Sequence, residues 1–273
     1  MKLGPAHKKN ERSNEMAQTF TPAPASALIQ KLRVFIPLSD AEQTILQTLA
    51  GKRESFTDGT DFIAAGDRYS DIYLVEEGWA IRYKLTPEGE RVITSFLLPG
   101  DFICINAPLF DVSDHAVSAI TDVVAARITV ESFLDAARQS PKFALAVAWC
   151  SAKEEAVIEE HLLGSAKRSA RTRLAHLLIE LWRRLEILEL TNDGFFPLPL
   201  TQQELADGLG LSPWYLNRII RAMHREGLIS MSVPSQRYIR ILDRQGLIEA
   251  AGFEEEYLHF TEVPAMTARA LDH

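Results

Sequence analysis

The pattern of apolar and polar positions is clearest over residues 200–229, where two short helical repeats follow each other. Thr201, followed three residues later by Glu204, forms a capping box that starts the first helix. Ser212 is a good N-cap for the second helix, and Pro213 suits its first turn because the missing N–H costs nothing there. Apolar residues at one-turn spacing give both helices a shared core: Leu205, Ala206, Leu209, Leu216, Ile219, Ile220 and Met223. The pattern predicts a helix-turn-helix.

Over residues 56–128 the pattern changes to short apolar runs separated by turn residues. The turn signals are Asp58-Gly59, Ala65-Gly66-Asp67, Glu77-Gly78, Pro87-Glu88-Gly89 and Pro99-Gly100. Such regular spacing is typical of an antiparallel β-barrel or sandwich. The predicted core consists of Ile72, Leu74, Ile81, Tyr83, Ile93, Phe96 and Leu97. Two short helices are predicted before the sheet, and the second begins at a capping box formed by Ser39 and Glu42.

A continuous helical pattern runs from about residue 141 to residue 190. Its first half carries a coiled-coil seam with alternating spacings of four and three: Leu145, Trp149, Ala152, Ala156, Glu159 and Leu163. The seam predicts a dimer interface with a second copy of the chain, although the stripe could also cover the barrel. Gly164 and the polar residues up to Arg168 predict a hinge. The apolar residues of the helix beyond it are Leu174, Leu177, Leu178, Leu181 and Leu185.

These patterns predict an α+β protein with an N-terminal antiparallel barrel, flanking helices and a C-terminal winged helix-turn-helix. The predicted parts are a flexible tail (1–25), an effector-sensing β-barrel domain (26–140), a dimerisation helix (141–165), a winged helix-turn-helix domain (166–242) and an acidic C-terminal tail (243–273). The wing is predicted from alternating apolar and polar residues over 229–242, with a turn at residues 233–236.

The net charge of −8 is unusual for a protein that binds nucleic acid, so its distribution matters. Residues 166–242 carry 11 Lys and Arg against 7 Asp and Glu, and the rest of the chain carries 18 against 30. The basic part therefore coincides with the predicted helix-turn-helix. No apolar run reaches the roughly 20 residues that span a bilayer, and no signal sequence is visible. We expect a cytoplasmic protein.

The polar residues on the second helix and at the helix caps suit the phosphates and base edges of a DNA major groove. The candidate DNA-binding residues are Thr201, Gln202, Ser212, Pro213, Trp214, Tyr215, Asn217, Arg218, Arg221 and Arg225. The expected partner is double-stranded DNA.

Three motifs in the barrel, followed by the long helix and the winged helix-turn-helix, resemble the Crp/Fnr family of bacterial transcription regulators. The motifs are Gly66-Asp67, residues 72–75 and Glu77-Gly78, and the resemblance covers roughly residues 30–242. It implies a homodimer whose cyclic-nucleotide-binding-like barrel, a jelly roll, controls the angle between two recognition helices. Those helices would enter successive major grooves about 34 Å apart on a two-fold symmetric operator. RNA polymerase is a further candidate partner.

The effector segment departs from the relatives that bind cyclic AMP, because those relatives carry an arginine for the cyclic phosphate. The candidate effector-pocket residues here are Gly100, Asp101, His115 and Ser118, and no Lys or Arg occurs between Gly100 and Ala126. Burying a phosphodiester without a cation is strongly unfavourable. We therefore expect no dependence on cyclic AMP, unless a protonated His115 supplies the charge. An uncharged or cationic effector, or control by abundance alone, are the alternatives.

The two cysteines, Cys104 and Cys150, bear on the other effectors of the family. Its iron–sulfur oxygen sensors use four cysteines, so one subunit of this chain cannot hold such a cluster. Cys104 or His115 could formally ligate haem, but nothing else in the sequence indicates a haem pocket. We predict no metal site, and the effector stays unknown. Oxidation of Cys150 on the dimer helix is a separate hypothesis.

The recognition helix departs from the best-known relatives as well. They present a Glu followed four residues later by an Arg, and these positions are Trp214 and Arg218 here. Arg218 can still make a bidentate pair with a guanine. Trp214 cannot accept a hydrogen bond from a cytosine amino group as a carboxylate does, so we predict a different base pair at that position of the half-site.

The sequence favours a sequence-specific transcription regulator and not an enzyme. His161, His176 and His224 lie on predicted helices without carboxylate or cysteine partners at ligand spacing, and no phosphate-binding loop or nucleophile motif occurs. The alternative is a small-molecule-binding module that acts through protein contacts without binding DNA. The retention of Arg218 and Arg221 argues against it.

Overall fold

The structure is a computed structural model that describes residues 26–231 and 238–271. The predicted flexible tail (1–25) and the predicted wing turn (233–236) lie outside the described residues. The α+β class is confirmed, with antiparallel sheets in the N-terminal half and a helix-turn-helix in the C-terminal half. Within the described ranges, no helix combines the length and the apolar character needed to cross a membrane.

The N-terminal domain begins with two helices, α1 (Ser26–Arg33) and α2 (Asp40–Leu49). The predicted capping box is confirmed, because the Ser39 side chain accepts from the Glu42 backbone N–H and the Glu42 carboxylate accepts from that of Ser39. The barrel strands are β1 (Lys52–Phe56), β2 (Asp61–Ile63), β3 (Asp71–Glu77), β4 (Ala80–Leu85), β5 (Arg91–Leu97), β6 (Phe102–Ile103), β7 (Ala116–Ala119) and β8 (Val123–Thr129). They form two antiparallel sheets, ordered β1-β8-β3-β6 and β2-β7-β4-β5.

All seven predicted core residues of the barrel are buried, but they serve two different cores. Successive side chains of a strand point to opposite faces of its sheet. On β4, Ala80 therefore joins the interior of the barrel, whereas Ile81 and Tyr83 cluster with the helices of the C-terminal domain. Ile93 and Phe96 of β5 belong to the same second cluster. The sheet β2-β7-β4-β5 is thus covered on both faces, and one face holds the DNA-binding half of the chain.

Helix α3 (Val130–Gln139) was not predicted and is started by Thr129, whose hydroxyl accepts from the Ser132 backbone N–H (3.1 Å). Helix α4 (Pro141–Lys167) and helix α5 (Ala170–Glu186) follow. The helix break falls at residues 168–169, at the C-terminal end of the predicted hinge, whereas Gly164 stays helical and buried. The break is set by Ser169, whose hydroxyl accepts from the Thr172 backbone N–H (3.1 Å) and so starts α5.

The C-terminal domain contains the predicted helix-turn-helix as α6 (Gln202–Leu209) and α7 (Pro213–Arg225). All seven predicted apolar residues of the two helices are buried. The turn between them passes through Gly210 in the left-handed conformation (φ 60°), which glycine adopts without strain. Strands β9 (Phe195–Pro197), β10 (Ile229–Met231) and β11 (Tyr238–Ile241) form an antiparallel sheet in the order β10-β11-β9. Strands β10 and β11 are the two sides of the predicted wing.

The acidic stretch after the wing is ordered into helix α8 (Arg244–Ala251), a 3₁₀ turn (Glu255–Leu258) and helix α9 (Ala265–Leu271). Residues 252–268, which we call the return segment, lead from the C-terminal domain back to the N-terminal helices. The Tyr257 hydroxyl donates to the Glu180 carboxylate of α5 (3.1 Å), and the Val263 backbone N–H donates to the Phe35 carbonyl oxygen (2.7 Å). The return segment is therefore a second connection between the two domains.

Candidate DNA-binding surface and effector sites

Helix α7 presents an exposed face that is polar and basic. Its start is fixed as predicted, because the Ser212 hydroxyl accepts from the Tyr215 backbone N–H (3.3 Å) and Pro213 occupies the first turn. The exposed side chains of this face include Trp214, Tyr215, Arg218, Arg221 and Arg225. Trp214 is 73% exposed, so it does not pack against the first helix or the wing strands.

Arg218 lies over two aromatic rings at the start of the recognition helix. Its guanidinium carbon is 5.8 Å from the ring centre of Trp214 and 5.3 Å from that of Tyr215. A guanidinium over ring faces is held in place by cation–π attraction while its N–H groups stay free to donate. Sequence reasoning placed these residues on one face but missed this packing, although their spacing of three and four residues was the available signal.

The two helices of the motif are joined by polar contacts as well as by their core. The Asn217 side-chain amide of α7 donates to the Gln202 side-chain oxygen of α6 (3.0 Å). The Thr201 hydroxyl accepts from the Glu204 backbone N–H (3.1 Å), so that predicted capping box is confirmed too. Thr201, Gln202 and Asn217 are therefore engaged within the motif, whereas Arg218, Arg221 and Arg225 form no ion pair with the residues that the structure describes.

The barrel contains a cation that was not among the predicted effector-pocket residues. Arg82 of β4 contributes to the electrostatic environment of both Cys104 and His115, and it is ion-paired with Glu154 of α4. His115 is buried, and desolvation lowers its pKa below 6.5 even though its Nδ1 lies 2.9 Å from Asp114. A protonated His115 is therefore not available at neutral pH to replace the missing arginine.

Gly100 and Asp101 face the helices around the barrel. Gly100 has φ +81°, and an added Cβ would lie 2.9 Å from the Ala27 carbonyl, so the close approach of α1 requires glycine. The Asp101 carboxylate is ion-paired with Lys31 of α1 and with Arg184 of α5 (3.0 Å). Burial disfavours its charge, but the two cations outweigh that effect and hold the pKa of Asp101 below its usual range. Asp101 thus joins three segments of the chain. Ser118, the remaining effector-pocket candidate, is buried on β7.

The predicted seam on α4 divides between two faces of the helix. Trp149 is buried in its own protomer, stacked on Phe35 with the ring centres 4.9 Å apart. Leu145 and Ala156 are partly buried, whereas Ala152, Glu159 and Leu163 are exposed. Two apolar residues outside the predicted seam, Ile158 and Leu162, are exposed as well. The N-terminal part of the seam therefore covers the barrel domain, as the alternative interpretation held, and its C-terminal part is exposed.

The two cysteines lie in different surroundings. Burial raises the pKa of the Cys104 thiol to about 11. Burial also raises the pKa of Cys150, which lines a small cavity beside Lys153 inside the protomer. A raised pKa lowers the thiolate fraction and with it the reactivity towards peroxide. Among the described residues, no group of three or more His, Cys, Asp and Glu side chains is arranged to hold a metal ion.

Two histidines have carboxylate partners that their sequence spacing did not reveal. The His161 Nε2 atom lies 2.7 Å from Glu180, and the His176 Nε2 atom lies 3.3 Å from Glu160. Each pair joins α4 to α5, so only the folded arrangement brings the partners together. The third, His224, lies 3.0 Å from the Ile229 carbonyl oxygen through its Nδ1 atom. The first two contacts connect α4 to α5, and the third connects α7 to β10.

The helix-turn-helix is docked directly on strand β5 of the barrel. The Arg91 guanidinium donates to the Asp207 carboxylate of α6 (2.8 Å). Gly208 of α6 faces the Phe96 ring so closely that an added Cβ would lie 2.7 Å from its Cζ atom. This contact leaves the basic face of α7 exposed. A jelly-roll barrel that carries a winged helix-turn-helix through a long helix defines a class of DNA-binding regulators.

Family models agree with this class for both halves. A cyclic nucleotide-binding domain matches residues 53–140, and a Crp-like helix-turn-helix domain matches residues 172–250. The nitrogen fixation regulation protein FixK of Bradyrhizobium diazoefficiens is 30% identical over 66% of this chain and 75% of its own length. The transcriptional activator FnrL of Cereibacter sphaeroides is 27% identical over 74% of this chain and 81% of its own. The chain belongs to the Crp/Fnr family of bacterial transcription regulators, which bind DNA.

Solved structures support the same fold. The structure of FixK2 from Bradyrhizobium japonicum matches with a TM-score of 0.67 and 26% identity, over 74% of this chain and 98% of that one. A Crp-family regulator from Thermus thermophilus matches with a TM-score of 0.58 at 20% identity, over 73% of this chain and 97% of that one.

Proposed function

We propose that the protein is a homodimeric transcription regulator that reads a two-fold symmetric operator and responds to an effector other than cyclic AMP or an iron–sulfur cluster. The observation that carries the DNA-reading part is the exposed Arg218, whose guanidinium lies over Trp214 and Tyr215. Arg218 reads a guanine in the major groove, and Arg221 and Arg225 contact phosphates on either side. A module that had lost DNA binding would not require this exposed basic face of α7.

The proposed dimer forms through the open face of α4. Leu162 is 67% exposed, and Ile158 and Leu163 are exposed beside it at helical spacing. Exposed apolar residues one turn apart on a long helix favour pairing with a second helix. Pairing here would place the two C-terminal domains on the same side of the dimer, which a two-fold symmetric operator requires.

The proposed independence from cyclic AMP rests on charge. The barrel cation Arg82 is already paired with Glu154, and His115 is neutral at pH 7 because burial lowers its pKa. A cyclic phosphate would have to break the Arg82–Glu154 pair and leave one charge buried without a partner. The iron–sulfur mechanism is disfavoured by the count of two cysteines.

Genome-wide recovery of the DNA that the protein binds tests the proposal. We expect an enriched, two-fold symmetric site whose half-site contains a guanine for Arg218. An absence of any symmetric enriched site would contradict it. Addition of cyclic AMP to the purified protein should leave the affinity for that site unchanged.

Sedimentation of full-length variants tests the dimer. Leu162→Glu places a carboxylate in the proposed interface and should convert the dimer to a monomer. Leu134→Glu on α3 is the matched control, because Leu134 is also exposed (42%) but lies away from α4's open face. Dimers in both variants would show that another surface pairs the chains.

A further inference from the structure

A cavity of about 300 Å³ lies where the two domains meet. We call it the interdomain pocket. Strand β5 forms one wall, the end of α4 and the start of α5 form the second, and the end of α6 with the following turn closes the third. It is separate from the effector candidates in the barrel, since Gly100, Asp101, His115 and Ser118 are not among its lining residues.

The walls of the interdomain pocket are mainly apolar. They include Ile93 from the barrel and Leu177 and Leu209 from the C-terminal domain. Ile158 and Leu162 of α4 line the pocket at its border with the proposed dimer face. Small-molecule sites typically combine such walls with a few polar groups that set orientation, and this volume is at the lower end of their range. The pocket therefore suits a small molecule with an apolar body.

The charges around the pocket leave one cation unneutralised. Glu160 is paired with Arg168, and Asp207 is paired with Arg91, so both lining carboxylates already have a cation. Arg173 has no carboxylate partner in the described part of the chain. Its Nη1 donates to the Leu209 carbonyl oxygen (2.8 Å), while its Nε is buried without a hydrogen bond. Arg173 is thus the lining guanidinium without a carboxylate partner among the described residues.

The Arg173 side chain lies beside two glycines. An added Cβ at Gly164 of α4 would lie 3.8 Å from the Arg173 Cγ atom, and one at Gly210 of the turn would lie 3.9 Å from its Nη1 atom. Arg173 is therefore held between the end of α4 and the turn of the helix-turn-helix. A ligand that binds Arg173 would therefore contact the end of α4 and the turn of the helix-turn-helix directly.

We propose that the interdomain pocket binds an apolar monocarboxylate, with the carboxylate on Arg173 and the apolar body against the walls from both domains. A guanidinium and a carboxylate form paired, charge-assisted hydrogen bonds. A dianionic phosphate ester fits less well, since Arg168 is already neutralised by Glu160. The ligand's effect on transcription rests on the proposed function, because it acts by changing how the DNA-binding domain is held on the barrel.

The ligand would favour the arrangement in which the DNA-binding domain is docked on the barrel, since the walls of the pocket come from both domains. Thermodynamic linkage then requires that the ligand changes DNA affinity by the same factor by which DNA changes ligand affinity. A regulator of this kind senses the carboxylate at the joint between its domains and not inside the barrel.

Calorimetric titration of the full-length protein tests the site. The probes are benzoate, phenylacetate and octanoate, each compared with its own primary amide, which keeps the shape and removes the charge. We expect at least one carboxylate to bind with a dissociation constant below about 1 mM and its amide to bind about tenfold more weakly or worse. Arg173→Gln should abolish the difference between acid and amide.

Arg171→Gln is the matched control, because Arg171 lies on the same helix but pairs with Glu226 outside the pocket. It should bind the probes like the unchanged protein. Hydrogen exchange on the unchanged protein gives a second measurement that depends on no variant: the bound carboxylate should slow exchange over residues 158–164 and 207–210. Protection confined to the barrel would overturn the site.

The remaining outcomes separate the two proposals. If no carboxylate binds, or if acid and amide bind alike, the inference is wrong while DNA binding stands. If a carboxylate binds but DNA affinity is unchanged at saturation, the regulatory part is wrong. If the protein binds no specific DNA either with or without the carboxylate, the proposed function fails, and the regulatory part fails with it, while the calorimetric result decides the site alone.

Discussion

Gly208 of the helix-turn-helix and Phe96 of the barrel approach so closely that a Cβ on Gly208 would lie 2.7 Å from Cζ and 3.1 Å from Cε2 of the ring. Phe96 is buried, so the ring has little room to move aside. The absence of one methyl group therefore permits the DNA-binding domain to sit on strand β5.

Gly208→Ala should destabilise the full-length protein. In a free helix this change stabilises by about 1 kcal/mol, so a loss of about 1–3 kcal/mol would report the clash with Phe96. Denaturant unfolding measures it. Phe96→Leu opens space opposite Gly208, and in that background the same alanine should be neutral or stabilising. A penalty of equal size in both backgrounds would show that the strain lies elsewhere.

Replacement of Arg218 or Arg221 by alanine should impair DNA binding in two different ways. Arg218→Ala should lower the preference for the specific site over other DNA, with a loss of about 1–3 kcal/mol in discrimination, because a bidentate base contact is removed. Arg221→Ala should weaken binding to all sequences and reduce the slope of log affinity against log salt by about 1. Binding measured on specific and random DNA at several salt concentrations separates the two. Equal behaviour would mean that the helix meets DNA through a different face.

Trp214→Glu should change the operator and leave stability unchanged. The side chain is 73% exposed, so its replacement affects unfolding by less than about 0.5 kcal/mol. A carboxylate at this position can accept from a cytosine amino group, so sites selected from a random library should gain a cytosine at the matching position. Trp214→Phe keeps an aromatic ring beside Arg218 and should keep the original half-site. An identical motif from all three proteins would remove Trp214 from the reading surface.

His161→Gln should change how stability depends on pH. Burial disfavours the charged imidazole, but Glu180 at 2.7 Å outweighs burial and raises the pKa of His161 above 6.5. Its contribution is therefore fully present below pH 6.5 and is lost as the pH rises through the raised value. Unfolding at about pH 5.5 and about pH 9 should show the variant to be more destabilised at the lower pH, by about 1.4 kcal/mol per unit of the shift.

His176 has the opposite effect on the pH dependence of stability. Burial lowers its pKa to about 4, so stability falls as the pH drops below 6.5. His176 is present in both proteins, but His161 is one of the charges that lower the pKa of His176, so the loss of His161 partly offsets the destabilisation expected at the lower pH. A variant that loses the same stability at both pH values would show that His161 acts only as a neutral hydrogen-bonding group.

Val263→Asp should release the return segment. Val263 is 7% exposed and packs with the N-terminal core, so a carboxylate there is buried without a cation. We expect a loss of about 2–3 kcal/mol and faster hydrogen exchange in the return segment. Met266→Asp is the control, because Met266 is 82% exposed. Equal effects of the two changes would mean that the return segment adds nothing to the contact between the domains.

Local signals predicted most of the elements because they depend on neighbours in sequence. The caps at Ser39, Thr201 and Ser212 were found from residue type and spacing, and each forms its expected hydrogen bond. Gly164 misled the prediction of the hinge, since burial and packing keep a glycine helical where propensity alone disfavours it. The cap at Ser169 was present in the sequence and decided the break.

The site was less accessible to sequence reasoning because its key contacts join distant residues. Arg82 is separated by 72 positions from Glu154, and Arg91 by 116 from Asp207. Trp149 fitted the dimer seam by spacing, but only the fold brings Phe35 against it. The alternation of apolar and polar residues along β4 and β5 correctly predicted which side chains are buried. It could not predict which of the two cores each side chain joins.

The return segment also limits how the DNA-binding domain can move. A hinge at residues 168–169 alone would allow rotation about many axes. The hydrogen bond from Val263 to Phe35 adds a second point of attachment to the N-terminal domain. While both points hold, the DNA-binding domain is restricted mainly to rotation about the line that connects them, so its recognition helix can change its angle to the barrel along one main direction.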